Sequence, residues 1–193
     1  MPPPAPGQPP SAPLCFATSN PGKLREAREI LGIPVEGAAL DLEELQTTVL
    51  PDLVRHKAVQ AWRRLGRPLM VEDTALVFAA WGVLPGVFIR HFLEQMGTAG
   101  LVRALAPFGD MAAEAVCGVG YHDGWRVHYF EGRVRGGIVT PRGKGGFGWD
   151  AIFQPQDGGR SFAEMAPAEK HRHSMRAKAL GRLAEFLRES GKI

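Results

Sequence analysis

The feature that most constrains this chain is a short apolar run, Leu14-Cys15-Phe16-Ala17, that breaks at once into the turn formers Thr18-Ser19-Asn20-Pro21-Gly22-Lys23. Beyond the turn, Leu24, Ala27 and Leu31 recur at i, i+3 and i+7, the spacing of one helical stripe. Asn20 is placed to cap that helix. Pro21 suits its first position, where the missing N–H would have no partner anyway. Strand, loop and helix in that order open a fold of the α/β kind.

The rest of the pattern fits a mixed sheet flanked by helices. A second helix is predicted over residues 51–64, with Leu53, Val54, Ala58, Ala61 and Trp62 near one face. Leu69-Met70-Val71 reads as a buried strand ending at Glu72 and Asp73. Residues 84–86 read as a turn, and residues 92–105 as one or two helices around Gly97 and Gly100. Residues 115–121 and 126–133 pair across Asp123-Gly124, a hairpin signal. A glycine-rich basic loop follows at 141–148, then the short apolar Ile152-Phe153. A last helix over 174–189 turns Ala177, Leu180, Ala184 and Leu187 to the core. One domain is expected over residues 14–193, behind a flexible tail over 1–13 that holds seven prolines and no charge.

Composition narrows the class. At 193 residues and 45% hydrophobic, the chain buries roughly 70% of its unfolded surface without staples. Two cysteines, Cys15 and Cys117, build no disulfide framework, so a reducing, cytoplasmic home is expected. The net charge of +3 is too small for a nucleic-acid footprint. The tail lacks the basic and apolar segments of a signal peptide. The uncharged run over 74–89 is shorter than the ~20 residues of a membrane span and is broken by Gly82, Pro85 and Gly86. A soluble protein without nucleic-acid or membrane partners is expected.

Several familiar patterns fail. Gly143-Lys144-Gly145-Gly146-Phe147-Gly148 spells G-x-G-x-x-G, but Trp149-Asp150-Ala151-Ile152-Phe153-Gln154-Pro155 after it is no helix start. As half a phosphate loop it puts Gly145 where Ser or Thr must hold magnesium. His171 and His173 lack zinc spacing.

Four motifs survive, each with a plainer reading beside it. Thr18 to Lys23 precedes a helix start, where backbone N–H groups and the dipole favour phosphate; a capped helix with a solvated lysine fits equally well. Val71-Glu72-Asp73-Thr74 puts two carboxylates at a strand end, suited to magnesium or to orienting a neighbour; a solvated turn is the alternative. Phe147-Gly148-Trp149-Asp150 offers aromatic faces to a base and an acid to its edge, or only two core aromatics in a tight loop. Glu169-Lys170 and Ser174-Met175-Arg176 put cations at a helix start, or on an ordinary charged surface.

Taken in order, these motifs resemble the inosine triphosphate pyrophosphatase family. The resemblance runs from Leu14 to about Leu187 and includes Leu84-Pro85-Gly86, Pro141-Arg142-Gly143, Phe153-Gln154-Pro155 and Ala163-Glu164-Met165. It implies an elongated α/β fold with a long central mixed sheet, a cleft between two lobes and a homodimer. It also implies magnesium-dependent hydrolysis, with manganese as a substitute, of the triphosphates of inosine, deoxyinosine and xanthosine to monophosphate and pyrophosphate. By position, Thr18, Ser19, Asn20, Gly22 and Lys23 would hold the triphosphate, and Lys57 and Arg90 would neutralise it. Glu44, with Glu43 as the alternative, and Asp73 would bind metal. Asp73 would also serve as general base, with Lys23 beside the chemistry, Thr74 next to it and Glu72 as its partner. Phe147 would stack on the base, with Gly148, Trp149 and Asp150 around it and Lys170, Met175 and Arg176 at its edge. The family closes this last motif as Ser-His-Arg; here Met175 stands in the middle and has no imidazole to donate, although His173 lies close in sequence. Two alternatives are a Maf-like pyrophosphatase of other base preference and a non-catalytic nucleotide-binding protein.

Overall fold

The opening unit forms as its residues dictate. Strand β1 (Leu14–Ala17) runs through a capped turn into helix α1 (Pro21–Leu31), which ends at Gly32 in the left-handed region. Asn20 Oδ1 accepts the N–H groups of Gly22 (2.9 Å) and Lys23 (3.1 Å), which closes the first turn. Ala27 and Leu31 are buried and Leu24 is partly so, as the stripe requires. This computed structural model describes residues 12–193; the predicted proline-rich tail over 1–13 lies outside them except for its last two residues.

Strand β2 (Val35–Ala38) lies parallel to β1, and helix α2 (Leu50–Leu65) follows, burying Leu50, Leu53, Val54, Ala58 and Ala61. Strand β3 (Leu69–Phe78) corrects the expectation that it ends at Glu72 and Asp73. It runs ten residues and carries both carboxylates at mid-strand. Its extension is held by strand β5 (Ala112–His122), which pairs with it from Leu69 opposite His122 to Phe78 opposite Ala113. The predicted turn at 84–86 supplies the two-residue strand β4 (Pro85–Gly86), paired to Leu76 and Val77. Helix α3 (Ile89–Leu105) breaks at Gly97, whose φ of 64° and ψ of 175° leave helical space, so of the one-or-two-helix expectation the two-helix form holds, with the break at Gly97 and not at Gly100. Strand β6 (Val127–Ile138) completes the predicted hairpin with β5, and the short strand β7 (Phe153–Pro155) pairs with its end.

Two helices close the chain: α4 (Pro167–His173), unforeseen in the sequence, and α5 (Met175–Glu189). Ser174 stands between them and accepts the N–H groups of Arg176 and Ala177 on its Oγ. In α5 the core face is Met175, Ala179, Leu180, Leu183, Ala184 and Leu187. Ala177, expected on that face, sits at its margin and is only partly buried. Among the described residues the strands form one mixed seven-stranded sheet in the order β2-β1-β3-β5-β6-β7, with β4 beside β3. No helix there is long and apolar enough to cross a membrane.

The two sheet faces are covered by different helices. On one, α2 buries Cys15, Ala17, Leu69, Val71, Ala75 and Val116. On the other, α1, α3 and α5 bury Phe16, Met70, Leu76, Phe78, Cys117 and Val119. Each large side chain so covered stabilises the fold by about 1.5–3 kcal/mol. Along β3 the odd-numbered apolar residues face α2 and the even-numbered ones face the opposite side, the period of two that any strand imposes. Glu72 and Asp73 therefore point to opposite faces. That alternation builds the site.

Candidate active site

The site lies where the sheet loses two strands. Phe16 is level with Met70 in the parallel β1–β3 pair, so β1 ends as β3 reaches Glu72. Beyond that level β3 continues with β5 behind it, and the loop after β1 turns across its open edge. Crevices at the carboxyl ends of parallel strands are where α/β proteins gather ligands. Here the crevice is a cleft of about 630 Å³, lined by Thr18, Ser19, Asn20, Lys23, Glu44, Lys57, Glu72, Asp73, Thr74 and Arg90, and further along by Phe147, Gly148, Trp149, Asp150, Met175 and Arg176. Most of the residues singled out in the sequence thus meet in one cavity. Gly22, Lys170 and Glu43 do not line it.

On the α2 side, Lys57 Nζ donates to Asp73 Oδ2 at 2.8 Å and to Glu44 Oε1 at 3.4 Å. Burial alone would lower the pKa of this ammonium, but Asp73 and Glu44 beside it carry it above the ordinary lysine range. Asp73 Oδ1 accepts the Thr74 N–H at 2.9 Å, and Lys23 Nζ stands 4.0 Å from that oxygen. The stretch that carries Glu44 has no regular structure and is held by its backbone. Gln60 of α2 donates to the Glu43 carbonyl (2.9 Å) and accepts the Glu43 N–H (3.1 Å). With the backbone fixed in this way, Glu44 lines the cleft and Glu43 does not. Arg90, 73% exposed at the rim, donates to Glu94 at 2.8 Å.

On the α5 side the chemistry is dry. Arg176 makes a two-pronged pair with Glu72, at 2.7 Å and 3.0 Å, and also donates to Glu26. Lys170 donates to Glu26 at 2.8 Å and to Asp150 at 2.6 Å, and Asp150 in turn accepts the Phe147 N–H at 2.7 Å. Lys23 joins the network, 3.3 Å from Glu72. Burial pushes Glu72 toward neutrality, yet Arg176 and Lys23 outweigh it and hold the carboxyl at about 2. Glu26 is likewise lowered against its burial by Arg176 and Lys170, whereas for Asp150 burial prevails and the pKa rises. Lys170 and Arg176, expected at a base edge, are thus 4% and 2% exposed and already bound to carboxylates.

Phe147 closes this half of the cleft. Its ring lies 4.9 Å from Lys170 Nζ and 5.3 Å from the Arg176 guanidinium, within cation–π range. It rests on Gly22, where a Cβ would stand 2.6 Å from the ring, so glycine is what lets loop and ring meet. Gly146 is needed twice: its φ of 70° is left-handed, and a Cβ would fall 2.2 Å from Asp150 Oδ2. Trp149 is buried edge-to-face on Phe153, 5.5 Å between rings, so it is a core residue whose edge reaches the cleft. Met175 is 2% exposed and lines the wall; His173 does not line it.

Glu26 is the member that sequence reasoning missed. It looked like one more charge on a surface helix, and its partners stand 144 and 150 residues away. One signal was present: it follows Lys23 by three residues and so shares its helix face.

Comparison with known proteins gives the family. The model of the Ham1 family matches residues 14–186. The inosine triphosphate pyrophosphatase of Yarrowia lipolytica is 45% identical over 181 residues, 91% of this chain and 96% of that protein. Among solved structures, a HAM1 protein from Coxiella burnetii superposes with a TM-score of 0.80 at 28% identity, covering 91% of this chain and 98% of its own. A nucleoside-triphosphatase, dITP/XTP pyrophosphatase, from Mycobacterium abscessus gives 0.68 at 30% identity, over 88% and 97%. With the match running from the first residue of β1 to Phe186 within α5, this chain belongs to the Ham1 family.

Proposed function

We propose that the chain hydrolyses non-standard purine nucleoside triphosphates, those of inosine, deoxyinosine and xanthosine, to the monophosphate and pyrophosphate. The observation that carries this reading is the two-ended cleft. Lys23, Lys57 and Arg90 gather at the end that holds Asp73 and Glu44, and an aromatic ring backed by buried ion pairs stands at the other. A triphosphate brings about four negative charges, which cations positioned in advance stabilise as charge builds on the leaving group. Relatives named inosine triphosphate pyrophosphatase align over nearly the whole chain.

The donor set fits a magnesium ion that arrives with its nucleotide. Among the described residues no cluster of three or more His, Cys, Asp or Glu could cage a metal. Among the acids that line the cleft, Lys57 draws together two hard carboxylates, Glu44 and Asp73, and magnesium is commonly held by one or two carboxylates plus substrate phosphates and water. When bound, Mg²⁺, or Mn²⁺ in its place, would neutralise charge on the phosphates. The chain's own residues do the rest. Lys23 and Lys57 bind the phosphates, and Phe147 stacks on the base. Asp73 takes the proton of the attacking water as its oxygen bonds to the α-phosphorus. The bond from that phosphorus to the bridging oxygen breaks, and pyrophosphate leaves with the electron pair.

The test is product analysis with Mg²⁺ over ITP, XTP, dUTP, ATP and GTP. Pyrophosphate, not phosphate, is expected from ITP and XTP, with ATP and GTP slower. Equal rates on ATP and ITP would overturn the substrate assignment. A cytoplasmic homodimer acting on free nucleotides completes the reading; for the compartment alone, the support is that both cysteines are free and buried.

A further inference from the structure

Lys57 occupies a position that the proposed mechanism gives to a metal ion. Its Nζ is within 3.4 Å of both carboxylates assigned to magnesium, closer to Asp73 than to Glu44. The contact is built into the fold. Lys57 lies on α2 between the buried Val54, Ala58 and Ala61, so its stem is aimed at the sheet, and Asp73 is the β3 residue that alternation turns toward α2. The Lys57 side chain is 16% exposed and that of Asp73 17%, so water screens the pair only in part.

An ammonium carries one charge on a flexible four-carbon stem, and it suits a phosphate oxygen as well as it suits a carboxylate. A divalent ion on the same two acids, with Lys57 still beside them and Lys23 4.0 Å from Asp73, would crowd three cations around two anions. Glu72, 3.3 Å from Lys23, relieves this only in part, because Arg176 already holds both of its oxygens. A triphosphate relieves it by giving both lysines new partners.

The geometry points to Lys57 as a built-in counter-cation of the metal site: it holds Glu44 and Asp73 in the free protein and moves onto the triphosphate as the metal–nucleotide complex enters. Free divalent metal is therefore excluded, and metal and nucleotide bind together. This rests on the metal ligands proposed above and adds the order of binding.

Mn²⁺ binding, followed by electron paramagnetic resonance on the purified full-length protein, tests it without turnover. With Mn²⁺ alone, Lys57→Met and Lys57→Gln should each bind at least tenfold tighter than the parent, and Lys57→Met with Asp73→Asn should lose the gain. With the α,β-methylene analogue of ITP present, the parent should bind Mn²⁺ tightly. Circular dichroism confirms that each variant is folded. If the parent binds Mn²⁺ with the analogue but neither Lys57 variant gains affinity for Mn²⁺ alone, the counter-cation role is wrong and the metal ligands stand. If Mn²⁺ fails to bind even with the analogue, both ideas fall.

Discussion

Glu72 and Asp73 are neighbours in one strand, yet they live in two electrostatic worlds. Glu72 faces α1 and α5, where Arg176 takes both its oxygens out of water. Asp73 faces α2 and the cleft, where Lys57 is its partner and water reaches it. The first arrangement is saturated: Glu26, Glu72, Asp150, Lys170 and Arg176 bind one another and have little left to give. The second is poised, because its lysines exchange partners when a stronger anion arrives. A strand's alternation of side chains thus gives one dipeptide both the scaffold and the working end of a site.

The strongest way to break that comparison is on the working side. Asp73→Asn should cut pyrophosphate release from ITP by about 10³–10⁴-fold, a general-base-sized loss, while binding of metal-free nucleotide and unfolding free energy stay near those of the parent. A large fall in stability instead would place Asp73 with the scaffold. The mirror experiment is Arg176→Met, which strands Glu72 and Glu26 as buried charges. Unfolding in urea should lose about 3 kcal/mol or more. If stability holds and only turnover falls, the dry network is not structural.

Acid sharpens the contrast. Glu72 titrates at about 2 in the fold against an ordinary 4.5, so its contribution is complete above 4.5 and is lost as pH falls from about 4.5 to 2. Glu26 is lowered and acts in the same sense, while Asp150, raised, opposes them. Melting temperature followed over that range should fall steeply for the parent and less steeply for Glu72→Gln. The smallest effect expected is on the pocket wall. Met175→His should raise the preference for ITP over ATP in kcat/KM by about tenfold, one added hydrogen bond to the base being worth roughly 1–2 kcal/mol.

What the sequence revealed follows the same division. The capped turn at Asn20, the α2 stripe, the Asp123-Gly124 hairpin and the break at Gly97 are local devices, each encoded within a few residues, and all are present. Most residues proposed for the phosphate end were legible too, because lysines and acids in loops stand out against an apolar background. The length of β3 was not, since its second half depends on pairing to β5 some forty residues away. Glu26 was hidden for the same reason: an acid on a helix looks solvated until the cations that bury it are known. Lys170 and Arg176 were found, but their partners were not, so their burial came only with the structure.

The network that joins Glu26 to Arg176 also has a consequence in time. A chain emerging from a ribosome offers α1 early, while Arg176 is made 150 residues later, which at ordinary synthesis rates is roughly 8–30 s. Until then Glu26 has no partner to justify its place against the sheet, and the hairpin of β5 and β6 must keep company with an unfinished neighbour. The cleft is thus assembled only once Lys170 and Arg176 have been made and α4 and α5 come free to dock.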